Sequence, residues 1–257
     1  LGITPIREVE RGEVIVISPQ LEVSSFHLPK QCSAFCSFEF VYFAFPASSF
    51  SEKSVRGIRT RLGKELAKEV FYKNKLPELD CLTHVPDSGY VSASGFYEYL
   101  FERGKRIPLV SGLFRNHYSG RSFITAGQEN RRKVIDFKFI IDPSAYRRKR
   151  VGIIDDSIVR STTIQILIEK LFREGGAHEV HVFVPCPRII NTCPYGIDMK
   201  TTEELVAANF SLEETRKKIG ANSLHHLSIE GFKNCFGNSD DFCMGCFTSK
   251  YPTRSSA

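Results

Sequence analysis

Thirteen consecutive residues, VGIIDDSIVRSTT (Val151–Thr163), constrain this chain more than any others. An apolar run, two adjacent carboxylates and several small hydroxyl residues lead into a stretch where Ile164, Leu167, Ile168 and Leu171 recur at helical spacing. That order predicts a buried strand, a turn, and a helix from Thr162 to Arg173 stopped by Gly175 and Gly176. Adjacent side chains on an extended strand point to opposite faces, so Asp155 and Asp156 serve one compact ligand only if the chain turns there. In a turn they suit ribose hydroxyls or a hydrated Mg2+. The free N–H groups and dipole of the helix start favour a phosphate, and Thr162 and Thr163 add hydroxyls. The plainer alternative is that Asp155 caps a turn and Ser161 or Thr162 is only a helix N-cap.

The surrounding pattern predicts an α/β fold with a mainly parallel sheet. Strands are expected in REVERGEVIVIS, in the aromatic run FEFVYFAF at residues 38 to 45, in CLTHV at 81 to 85, and in VIDFKFII, RVGII and EVHVFVPC. Val55, Ile58, Leu62 and Leu66 share one helical face, and a second helix is expected from about Tyr90 to Arg103. Strands alternating with helices between residues 79 and 186 give parallel pairing, and ligands then bind beyond the carboxyl ends of the strands. Two loops lie there, PDSG after Val85 and DDSIVRST after Ile154. RNHYSGRSFITAGQENRR reads as a long basic loop, and after residue 197 the chain reads as helical and polar.

Composition narrows the class without deciding it. With 257 residues and 42% hydrophobic content, the chain can bury a sizeable core. No apolar run approaches a membrane span, and the first residues lack a signal-peptide pattern. The net charge of +6 is spread out apart from Arg147, Arg148, Lys149 and Arg150, and it suits a solvated face, phosphorylated substrates or nucleic acid without choosing between them. On the whole reading, neither nucleic acid nor membrane is expected as a partner. The expected location is cytoplasmic, with a plastid as the alternative. Of eight cysteines, Cys243 and Cys246 form a CxxC that fits metal or redox chemistry, and the rest read as small buried hydrophobes.

DDSIVRSTT resembles the phosphoribosyl-pyrophosphate (PRPP) motif of type I phosphoribosyltransferases, which glutamine PRPP amidotransferases write as DDSIVRGTT. HVPDSG, GLFRNHYSGRSFI, GAHEVHV, CPYGIDM, IGANSL and CFTSKYP extend the resemblance in order over roughly residues 36 to 252. The resemblance implies a type I phosphoribosyltransferase fold with a helical, Cys-containing C-terminal segment. It implies transfer of the phosphoribosyl group of PRPP to ammonia, giving 5-phosphoribosylamine, the first step of purine synthesis. Carried over by position, Asp155 and Asp156 serve the Mg2+ and ribose end, and Ser88 lies near the metal and pyrophosphate, with Ser88, Asp155 and Asp156 as the Mg2+ ligands. Arg160, Ser161, Thr162 and Thr163 wrap the 5-phosphate, and Ser157 belongs to the same PRPP site. Arg115, Asn116, Tyr118 and Arg121 lie in a closing loop, with Gln128 after it; Arg115, Tyr118 and Arg121 are the expected catalytic residues. One branch of the family carries a [4Fe–4S] cluster, whose ligands correspond to Cys36, Cys193, Cys243 and Cys246. From spacing alone, zinc or free thiols remain open. Homo-oligomers and inhibition by purine nucleotides are further implications.

The resemblance also marks departures. Family members carry a glutaminase domain, of which REVERGEVIVIS looks like the last strands, so this chain is expected to lack it and to use ammonia. The expected division is residues 1–35 as that remnant and connector, 36–200 as the phosphoribosyltransferase domain, and 201–257 as the C-terminal segment. Phe45 and Ala47 replace an Arg and an Asp, IDFKFIID is more apolar than usual, and Ser161 replaces a glycine. If position 161 needs a positive φ, serine costs about 1 kcal/mol. A PRPP-binding domain without catalysis is therefore a second reading. A salvage phosphoribosyltransferase is a third, but it leaves the C-terminal cysteines unexplained.

Overall fold

The computed structural model describes residues 4, 6–10, 12–29, 34–50, 52–73, 75–116, 137–199, 201–237 and 241–253. Its centre is a sheet of four strands, Cys81–His84, Arg150–Ile154, Glu179–Val184 and Ser223–His226, each beside the next in chain order and all parallel. Pairing of Cys81 with Val151 and His84 with Ile154 brings the carboxyl ends of the first two strands level. Val151 to Ile154 and Val180 to Val184 are buried throughout, His181 included, so both faces of these strands are covered.

Helices cover the sheet. Tyr90–Glu102 packs on the first two strands, Thr162–Arg173 on Glu179–Val184, and Leu212–Ile219 on Ser223–His226. The long helix Val55–Tyr72 buries the predicted Val55, Ile58, Leu62 and Leu66 and lies against Tyr90–Glu102. Two glycines permit that approach. A Cβ on Gly63 would sit 1.9 Å from the Ser92 carbonyl oxygen, and one on Gly95 would sit 2.1 Å from that of Thr60. The α/β architecture with helices flanking a parallel sheet is thus present.

Three local expectations need correction. The aromatic run expected as a strand is instead a π-helical turn, Glu39–Phe43, after the two-residue strand Phe35–Cys36. Phe38 and Phe40 are buried against Phe247, Phe236 and Phe242, and such packing overrides β-propensity. The strand expected in VIDFKFII is shorter, Phe139–Ile141, and pairs with Leu113–Arg115. The segment after residue 201 holds the short helices Val206–Asn209, Leu212–Ile219, Ile229–Asn234 and Gly245–Thr248, but it also supplies Ser223–His226. That edge strand, SLHH, carries no apolar run. Its polar side chains find partners in the sheet, where Ser223 Oγ lies 2.9 Å from His181 Nδ1.

The N-terminal strand Glu13–Ile17 pairs with Val23–His27 in an antiparallel hairpin whose second strand is exposed at every residue. No helix among the described residues is long and apolar enough to cross a membrane.

Candidate functional site

The site begins where the second strand of the sheet ends. Asp155 N–H donates to the Phe183 carbonyl at 3.1 Å, so Asp155 is the last residue held by the sheet. The chain then turns: Asp156 N–H donates to Asp155 Oδ1 at 3.0 Å, and Ser157 Oγ donates to Asp156 Oδ1 at 2.6 Å. This turn meets the condition set by strand geometry for both carboxylates to serve one site. Asp155 is 7% and Asp156 4% exposed.

The PDSG loop lies alongside. Val85 N–H donates to the Ile154 carbonyl at 2.9 Å, and a Cβ on Gly89 would come within 2.6 Å of that same oxygen. Glycine at 89 therefore lets the loop backbone rest on the end of the neighbouring strand. It brings Ser88 to Asp156, whose charged form the Ser88 and Ser157 hydroxyls favour.

Burial governs the electrostatics. Asp155 is pushed well above the usual carboxylate range by burial and then by the Asp156 charge, against the opposing Asp156 N–H. Asp156 is raised by burial and held down by Ser157, Ser88 and Arg59. Two buried, adjacent carboxylates with hydroxyls beside them form an oxygen donor set suited to a hard divalent cation.

The helix start is equally local. Thr162 and Thr163 open the helix Thr162–Arg173, the first exposed and the second half-buried. Ser161, the residue before it, has φ −66° and ψ −12°. The positive-φ strain that a serine here would have suffered is absent, because the backbone is already right-handed helical. Nor is Ser161 a side-chain cap, since it makes no capping hydrogen bond among the described residues. Asp155 does hold its own turn, as the plainer alternative supposed.

The expected cationic residues sit at the edges. Arg160 Nη2 pairs with Glu204 Oε2 at 2.6 Å. Arg115 Nη1 pairs with Asp87 Oδ2 of the PDSG loop at 3.1 Å. Asn116 Nδ2 donates to the Phe137 carbonyl at 3.1 Å. Tyr118, Arg121 and Gln128 lie outside the described residues.

Two residues at the site escaped the sequence reading. Tyr42, on the π-helical turn and half exposed, has its hydroxyl raised by partial desolvation and by Asp156 and Asp155, with Arg115 opposing. Arg59, 2% exposed, is pulled down by burial and held up by Asp156. A signal for Arg59 was available: it stands four residues after Val55 and three before Leu62, on the apolar face of its helix.

The four cysteines singled out by resemblance line one cavity of about 300 Å3 with Phe38, Met199 and Tyr251 among its walls. Cys36 and Cys243 are register partners in the parallel pairing of Phe35–Cys36 with Phe242–Cys243. The carbonyl of Cys246 accepts N–H bonds from Ile190 and Asn191 at 2.9 and 3.1 Å, which ties in the segment leading to Cys193. Burial raises the thiols of Cys36, Cys243 and Cys246, and neighbouring thiols add to the shift. Among the described residues no group of three His, Cys, Asp or Glu side chains could hold a single metal ion. Cys81, Cys186 and Cys235 are buried elsewhere, and Cys32 lies outside the described residues.

No protein-family model matches the chain. Among curated proteins it is 40% identical to an amidophosphoribosyltransferase of Methanocaldococcus jannaschii over 96% of this chain and 53% of the relative. It is also 40% identical to the Bacillus subtilis enzyme over 98% and 52%, and 39% identical to a chloroplastic one of Glycine max over 96% and 42%. Two solved structures match over 97% of this chain: an allosteric regulatory enzyme of purine biosynthesis (TM-score 0.80, 38% identity, 52% of that chain) and the Bacillus subtilis glutamine PRPP amidotransferase with ADP and GMP (TM-score 0.79, 39% identity, 53% of that chain). The chain spans about half the length of the curated relatives it matches. In sequence and in fold, this chain is similar to the phosphoribosyltransferase part of amidophosphoribosyltransferases.

Proposed function

We propose that this chain transfers the phosphoribosyl group of PRPP to ammonia, giving 5-phosphoribosylamine and pyrophosphate, the first step of de novo purine synthesis. One observation carries the reading: two adjacent buried carboxylates at a strand end stand directly before a helix start that Ser161 leaves without a side-chain cap. That is a place for a ribose and its 5-phosphate side by side.

In the reaction, ammonia nitrogen bonds to the anomeric carbon, the bond from that carbon to pyrophosphate breaks, and the nitrogen loses a proton. Asp155 and Asp156 hold the ribose end, Arg160, Ser161, Thr162 and Thr163 hold the 5-phosphate, and Ser157 belongs to the same PRPP site. Ser88, Asp155 and Asp156 fit Mg2+, which when bound neutralises the leaving pyrophosphate. Arg115 stands at the pyrophosphate side, paired with Asp87 until an anion competes for it. Arg115, Asn116, Tyr118 and Arg121 belong to a loop proposed to close over PRPP, with Gln128 after it, and to exclude the water that would otherwise hydrolyse it.

The cavity lined by Cys36, Cys193, Cys243 and Cys246 offers the four thiols that a [4Fe–4S] cluster takes as ligands. The cluster's role is structural, tying Cys243 and Cys246 to the start of the π-helical turn. The proposed division is residues 1–35, 36–200 and 201–257, the last joined to the second through its edge strand. Homo-oligomerisation, inhibition by purine nucleotides and a cytoplasmic location belong to the same reading. The Bacillus subtilis relative was solved with ADP and GMP, while the Glycine max relative is chloroplastic, which keeps a plastid as the alternative.

The test is to supply PRPP, Mg2+ and ammonium to the iron-reconstituted protein and follow pyrophosphate. Ammonium-dependent release is expected. PRPP binding without release would leave a binding domain in place of an enzyme.

A further inference from the structure

The strand Arg150–Ile154 and the helix Thr162–Arg173 fix the two ends of the carboxylate and hydroxyl stretch, but Ile158 to Arg160 lie in neither. Their ties run to the C-terminal segment. Val206 N–H donates to the Val159 carbonyl at 3.0 Å, and Arg160 Nη2 donates to Glu204 Oε2 at 2.6 Å. Ile158 and Leu205 are buried in the same core. The segment is itself braced. Asn209 Nδ2 donates to the Thr202 and Leu205 carbonyls at 2.7 and 2.8 Å, which closes the turn Thr202–Glu204 onto the helix Val206–Asn209. Arg188, from the stretch after the strand Glu179–Val184, donates through Nη2 to the Ala207 carbonyl at 3.1 Å and to that of Phe210. Glu204 therefore reaches Arg160 from a fixed backbone. Both side chains are half exposed, and an ion pair so exposed adds little to stability. What it supplies is direction. An unheld arginine spreads over many rotamers, whereas one pinned at Nη2 keeps its place and has other N–H donors for a phosphate oxygen. Arg160 stands two residues before Thr162, where the helix starts.

We propose that Glu204 is a positioning residue for the 5-phosphate: with the main-chain bond from Val206, it holds Arg160 and its loop at the helix start. The C-terminal segment is then part of the PRPP site as well as the bearer of two of the cysteines. Glu204 touches no reacting atom and acts through Arg160. The proposal rests on the reading of that helix start as the phosphate end of the site.

The experiment uses the full chain and titration calorimetry with two ligands: ribose 5-phosphate, which carries the 5-phosphate, and Mg2+–pyrophosphate, which lacks it. Glu204→Gln weakens ribose 5-phosphate about 10-fold, the scale of one charge-assisted hydrogen bond, and leaves Mg2+–pyrophosphate binding unchanged. A general loss of structure would weaken both. Arg160→Met weakens ribose 5-phosphate by at least as much, and in that background Glu204→Gln adds nothing. Glu204→Asp keeps the charge and recovers part of the affinity. With PRPP, Mg2+ and ammonium, Glu204→Gln raises KM for PRPP by a similar factor and leaves kcat within about twofold. Undiminished ribose 5-phosphate binding in Glu204→Gln, weakening of both ligands in the folded variant, or a full further loss in the Arg160→Met background overturns the proposal. If Glu204→Gln does not fold, Glu204→Asp decides by the same criteria. If the parent binds ribose 5-phosphate but releases no pyrophosphate, the reading of catalysis fails while the binding data still decide the role of Glu204. A parent that binds no ribose 5-phosphate overturns both.

Discussion

The carboxylate site and the thiol cavity are built in opposite ways. Asp155 to Thr163 form one continuous stretch, positioned by the end of a single strand and the start of a single helix. The thiol cavity draws on Cys36, Cys193, Cys243 and Cys246, brought together by a two-residue ladder and by main-chain bonds to Cys246. The first is fixed by local backbone geometry on a buried sheet. The second exists only when distant segments have already docked. A site of the first kind should survive loss of any one side chain as a shape, whereas a site of the second kind should come apart as a unit.

The largest effect expected from that contrast is chemical. Asp156→Asn should lower ammonium-dependent pyrophosphate release by about 10²–10³-fold, the scale of losing a preorganised electrostatic partner, with the circular dichroism spectrum unchanged. A protein that lost its fold together with its activity would break the comparison. Next, Cys243→Ser should abolish bound iron and acid-labile sulfide and lower Tm by about 4 °C or more, the shift expected for roughly 1–2 kcal/mol in a chain of this size. Zinc without sulfide in the parent would refute the cluster.

The edge strand Ser223–His226 gives a pH test. His226 Nδ1 lies 3.0 Å from the carbonyl of Cys186, and burial pulls the imidazole down from its usual 6.5 to about 4. Burial likewise lowers His225 to about 4. A histidine lowered on folding favours the neutral native form. Its contribution is present above pH 6.5 and is lost as pH falls through about 4. Urea unfolding should show stability declining across that window, and His226→Gln should flatten the decline. A decline of unchanged slope would assign it to other groups.

The smallest effect is expected at Ser161. Its backbone is right-handed, so Ser161→Gly relieves no strain. Activity should rise by no more than about twofold, and stability should fall by only a few tenths of a kcal/mol, as for glycine at a helix start. A large gain would mean that the loop needs a left-handed residue when PRPP is bound.

How much of this was legible follows the same contrast. The helix Thr162–Arg173 and the strands ending at His84 and Ile154 were readable because their signals are local: period, punctuation and burial on both faces. Glu39–Phe43 was misread because aromatic residues favour strands in general. What bends this run is Arg59 from another helix and Phe236, Phe242 and Phe247 from the far end of the chain. Ser223–His226 was missed because an edge strand with polar partners shows no apolar pattern. The four cysteines could be grouped only by resemblance, since spacing says nothing about which segments dock.

The close backbone approaches of Gly63 to Ser92 and of Gly95 to Thr60 bear on how the site can move. With main chain against main chain and no side chain between, the two helices have nothing to slide over and no rotamer to yield. The helix holding Arg59 and the helix that begins after Ser88 and Gly89 therefore behave as one rigid strut. A push at the PDSG loop should therefore reach the aromatic turn through that strut. A methyl group added at either glycine would be felt at both ends of the site, without touching it.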